Sequence, residues 1–84
     1  LLAHKGDLFY SQPQDRDGAR ANLTIRVSRD SGDSWPSDAA HALVVHAGPS
    51  AYSALGETAL GELAVLWEAD DKDLMFATTK FFDR

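Results

Sequence analysis

The segment Ser28-Arg29-Asp30-Ser31-Gly32-Asp33-Ser34-Trp35 carries the strongest local signal in the chain. A Ser, an Asp, a Gly and a Trp stand in it at the spacing of a tight turn. The Asp carboxylate accepts local backbone N–H bonds, the Gly enters positive φ without a steric penalty, and the aromatic ring packs beneath the turn. Just before it, Leu23, Ile25 and Val27 alternate with Thr24, Arg26 and Ser28. That period of two predicts a strand with one face in a core.

The same period recurs on both sides of the turn, and helical periodicity is nowhere sustained. Upstream, Asp7 to Ser11 reads as a strand ending at Gln12-Pro13, followed by the polar loop Gln14-Asp15-Arg16-Asp17-Gly18. Downstream, after Trp35-Pro36, a strand is expected over Ala42 to His46, stopped by Gly48-Pro49. A short strand over Tyr52 to Leu55 comes next, then a loop from Gly56 to Gly61. Leu63 to Glu68 is apolar on both sides except at its end, which predicts burial between layers. Asp70-Asp71-Lys72-Asp73 reads as a charged, solvated turn before a last strand over Leu74 to Thr79. The fold class is all-β, with antiparallel strands joined by short connections. Such meanders are the unit of propeller blades, and six strands can also close a small free sandwich.

Composition narrows the function classes. A chain of 84 residues buries only about 60% of its unfolded surface, so a core is possible but marginal. There is no cysteine to supply a disulfide or thiolate ligand. His41 and His46 lack metal-ligand spacing, and no cofactor is implied. A net charge of -5 argues against nonspecific nucleic-acid or anionic-membrane binding, which needs gathered Lys and Arg. No apolar run is long enough to span a bilayer as a helix. The chain opens without Met inside an apolar pattern, Leu1-Leu2-Ala3, which leads us to expect a segment of a longer protein.

The turn matches Ser-x-Asp-x-Gly-x-x-Trp at every fixed position: Ser28, Asp30, Gly32 and Trp35. It resembles the Asp box that recurs between the third and fourth strands of blades in sialidase-type propellers. Around it, Ser11-x-Pro13 and Arg20-Ala21-Asn22-Leu23-Thr24-Ile25 look like the segment carrying the third arginine of the sialidase triad. Gly48-Pro49-Ser50-Ala51-Tyr52-Ser53-Ala54-Leu55 resembles the catalytic-tyrosine stretch, and Leu66-Trp67-Glu68 the glutamate-bearing strand. These elements cover nearly the whole chain, in family order. The resemblance implies two incomplete blades of the C-terminal part of a six-bladed propeller, residues 1–47 with the Asp box and residues 48–84.

It also implies a retaining exo-α-sialidase that removes terminal sialic acid from glycoconjugates. Arg20 would bind the sugar carboxylate, Tyr52 would be the nucleophile, and Glu68 would hold another arginine of the triad. Sialic acid has a carboxylate on its anomeric carbon. An anionic nucleophile at about 4 Å would meet a repulsion of about 4 kcal/mol at an effective dielectric of about 20. A neutral tyrosine avoids this, provided that a carboxylate takes its proton as it attacks. Tyrosine nucleophiles of sialidases depart from the two-carboxylate scheme of most glycosidases. The acid/base aspartate, the tyrosine-activating glutamate and two arginines are expected outside these 84 residues, so the isolated chain is expected to be inactive. The implied partners are a sialylated glycan and the remaining blades, and the implied compartment is secreted or periplasmic.

Each residue also has a plainer explanation. A lone Arg at a strand start is commonly a solvated charge, and a Tyr there packs its ring and bonds its hydroxyl nearby. Arg26 alternates with core residues and is read as surface. Asn22-Leu23-Thr24 is a formal N-glycosylation sequon inside a predicted strand. Phe76, Phe81 and Phe82 are read as filling between sheets. The alternative function is a noncatalytic carbohydrate-binding or adhesion module that uses the Asp-box propeller as scaffold.

Overall fold

The computed structural model describes residues 1–13, 21–69 and 73–83. Among them are six strands and no helix: β1 (Leu2–His4), β2 (Asp7–Pro13), β3 (Ala21–Ser28), β4 (Ala42–Glu57), β5 (Leu63–Ala69) and β6 (Asp73–Thr79). They pair in sequence order, every neighbour antiparallel, as one meandering sheet.

The sheet curls into a half-barrel because alternate residues of distant strands share one interior. Phe9 of β2 lies opposite Val27, and Leu23, Ile25 and Val27 of β3 are fully buried. Leu63, Val65, Trp67 and Ala69 of β5 meet them from the other side, with Phe82 sealing one end edge-on against Phe9 at 5.3 Å. Two polar ties cross the curl. His4 of β1 bonds through Nδ1 to the Glu57 carboxylate at the far end of β4, and Ser11 Oγ lies 2.7 Å from Ser53 Oγ. A third holds the chain end: Arg29 donates to Asp7 Oδ2 at 2.6 Å and to the Phe82 carbonyl at 2.9 Å.

Four features differ from the sequence expectation. The first is an additional strand, β1, ahead of Asp7. Lys5 and Gly6 take positive φ of 51° and 86° between paired His4 and Asp7, the geometry of a two-residue hairpin turn. The second is Gly48-Pro49, which does not stop the strand. Pro49 is the last residue of β4 to pair with β3, opposite Ala21, and Ser50 is the first to pair with β5, opposite Ala69. The proline's missing N–H thus falls where the strand changes partners, a place that tolerates it. The two expected strands Ala42–His46 and Tyr52–Leu55 are halves of one, and the division at residues 47 and 48 lies inside it.

The third concerns β5, which is not buried on both faces. Leu66 is 40% exposed because β4, β5 and β6 carry no layer on their outer side among the described residues. The fourth concerns the phenylalanines. Phe82 is core, whereas Phe76 and Phe81 are exposed.

Candidate functional site

The Ser28–Trp35 turn joins β3 to β4 and is built as a closed hydrogen-bond unit. The Ser28 hydroxyl donates to Asp30 Oδ1 at 2.7 Å and accepts from the Gly32 N–H at 2.9 Å. Asp30 Oδ1 also accepts the Ser34 N–H at 2.8 Å, and Oδ2 accepts the Ser34 hydroxyl. These donors, the Ser34 hydroxyl first, then the Ser28 hydroxyl and the Ser34 amide, hold the Asp30 carboxyl down at about 2. Ser31 and Gly32 both take positive φ, 61° and 92°. Trp35 tilts against Tyr10 of β2 with ring centroids 4.9 Å apart. Tyr10 in turn accepts a long bond from Arg26 Nη1, 3.4 Å. Every fixed residue of the motif therefore has a local structural task, and none is left over for chemistry.

Chemistry-bearing residues meet elsewhere, on the outer face of the second half of the sheet. Ser53, Leu55 and Glu57 share the side of Trp67, Val65 and Leu63, which sends Tyr52 and Ala54 outward with Leu66 and Glu68. Opposite them on β6, Leu74 pairs with Glu68 and Phe76 with Leu66. The result is a shallow depression of about 180 Å³ lined by Tyr52, Ala54, Leu66, Glu68 and Leu74 together with Ser53 and Trp67. Tyr52 is 73% exposed and Glu68 half-buried. A phenol and a carboxylate thus stand on an apolar floor open to solvent, able to receive a polar ligand or a guanidinium.

Two of the three sequence-predicted chemical residues, Tyr52 and Glu68, are brought together here. Arg20, the third, lies outside the described residues. Glu68 makes no ion pair among the described residues. Leu66 and Leu74, which wall the depression, were not singled out from sequence. Their signal was the shared parity of positions 66, 68, 74 and 76, which is informative only once the β5–β6 register is known.

A second, more enclosed cavity of about 200 Å³ lies at the β1–β2 turn among His4, Lys5, Asp7, Phe9, Phe82 and Asp83. Asp7 is paired with Arg29, Lys5 with Asp83, and His4 through Nδ1 with Glu57, while the buried His4 Nε2 has no hydrogen-bond partner among the described residues. Among the described residues no three acidic or histidine side chains converge to hold a metal ion. Scans against protein-family models, curated proteins and solved structures return no match to this chain.

Proposed function

We propose that this chain is the box-bearing, tyrosine-bearing segment of a six-bladed sialidase-type propeller and works in retaining hydrolysis of terminal sialic acid. The observation that carries the proposal is that Tyr52 and Glu68, two residues picked out by family-like motifs 16 positions apart in sequence, line one solvent-open depression. Two further features support it. β1, β2, β3 and the first half of β4 make a four-stranded meander with the Ser28–Trp35 turn between its third and fourth strands, where an Asp box belongs. A nucleophile must also be reachable by a sugar, and Tyr52 is mostly exposed.

In this proposal the Tyr52 oxygen attacks the anomeric carbon, giving its proton to a carboxylate outside this segment, as the bond to the aglycone oxygen breaks. An acid outside this segment protonates the leaving oxygen, and water later releases sialic acid with net retention. Glu68, beside Tyr52, anchors a guanidinium that binds the substrate carboxylate, since Arg–carboxylate pairs set orientation bidentately. Arg20 is assigned to the same carboxylate. Turnover of a fluorogenic sialoside by the protein that carries this segment, compared with its Tyr52→Phe variant, tests the proposal. Loss of activity by at least about 10³-fold with unchanged folding is expected of a nucleophile. Full activity in the variant would remove Tyr52 from that role.

A further inference from the structure

Three of the buried polar atoms without a hydrogen-bond partner among the described residues, His46 Nε2, Ser50 Oγ and Trp67 Nε1, belong to residues at or opposite the change of partner in β4. The register brings these residues near one another. β4 carries His46 and Ser50 on either side of its change of partner, Ser50 lies opposite Ala69, and Trp67 lies opposite Ser53 on the same side of β5. The His46 and Trp67 rings are 6.0 Å apart, centroid to centroid. A carbon added to Gly48 would stand 3.1 Å from His46 Nε2, which puts that nitrogen close to Gly48, two residues ahead of Ser50. Ser50 and Trp67 are themselves almost fully buried.

Leaving three such groups unbonded in a dry core would cost about 1–3 kcal/mol each, a sum large against the stability of a small domain. Their chemistry is complementary to one small molecule. The Trp67 indole only donates, whereas the imidazole nitrogen and the serine oxygen can both accept. We infer that an internal hydration site sits at the waist of the half-barrel, its water accepting from Trp67 Nε1–H and donating to His46 Nε2 and Ser50 Oγ. Three bonds is the usual complement of a buried water. The site pins the bulge of β4, two residues ahead of Tyr52, to β5, and it stands whether or not Tyr52 is a nucleophile.

Ser50→Ala separates this from an unbonded serine, because it deletes only the hydroxyl. If the hydroxyl is bonded through water, the variant melts lower by roughly 4–8 °C, the equivalent of one lost hydrogen bond in a chain of this size. If the hydroxyl is an orphan, its removal leaves the melting temperature unchanged or raises it, and the inference fails. A second readout needs no variant of Ser50. The Trp67 indole proton, assigned by its loss in Trp67→Phe, is expected to show a nuclear Overhauser peak to a long-lived water, and its absence would equally overturn the site.

Discussion

Asp30 is the residue on which the turn depends most. Its carboxylate is exposed, yet three hydrogen bonds keep its pKa at about 2 in the folded chain against 3.8 unperturbed. A depressed carboxyl stabilises the fold fully above its unfolded value, and that contribution is lost as pH falls through the folded one. Unfolding followed from pH 5 to pH 2 is therefore expected to show stability dropping between about 4 and about 2. Asp30→Asn is expected to start lower and to lose less in that window. A parallel pair of curves would contradict the assignment. Gly32 makes a separate demand. An added Cβ would meet only Leu8 Cδ1 at 3.4 Å, an ordinary contact, so the cost of Gly32→Ala comes from φ of 92°. That cost is about 1–2 kcal/mol, measurable by urea unfolding.

At the scale of the strands, what could be read from sequence depended on whether one face was uniformly apolar. Leu23, Ile25 and Val27 announced β3 and its buried side without ambiguity, and all three are fully buried. Ile25→Ala should cost about 2–5 kcal/mol by cavity formation. Phe76 offers the contrast, because 63% of it is exposed and it supports little. Phe76→Ser should stay within about 0.5 kcal/mol in the same urea titration, whereas Phe82→Ala should cost about 3–5 kcal/mol. The continuity of β4 was not legible at Gly48-Pro49. Local propensity says stop there, but a strand that exchanges one partner for another loses nothing at the exchange point. β1 was hidden for a related reason. Three residues are too few to show a period, and their pairing is set by the Lys5-Gly6 turn.

Taken whole, the molecule puts the residues of the box turn and the residues proposed to do chemistry on different parts of one sheet. The box turn closes the β3–β4 link and keeps Ser28, Asp30, Gly32 and Trp35 occupied, while Tyr52 and Glu68 face outward on the second half. The motif spacing draws attention to both groups in the sequence. That Tyr52 and Glu68 share a depression was not visible, because it depends on the register between β4 and β5. On our proposal the depression is one wall of a larger site, so the isolated 84-residue chain should not hydrolyse a sialoside even when folded. Measurable turnover by it would show that the remaining groups are not needed.

The most direct test of the central proposal is to trap the intermediate. The protein that carries this segment, treated with a fluorinated sialosyl donor that slows release of the glycosyl-enzyme, is digested and its peptides are weighed. A peptide spanning Tyr52 that gains the mass of one fluorosialosyl group, with the bond on the Tyr52 oxygen and no label in Tyr52→Phe, is the predicted result. Label on another residue, or an enzyme that turns over sialosides and never labels Tyr52, would contradict it.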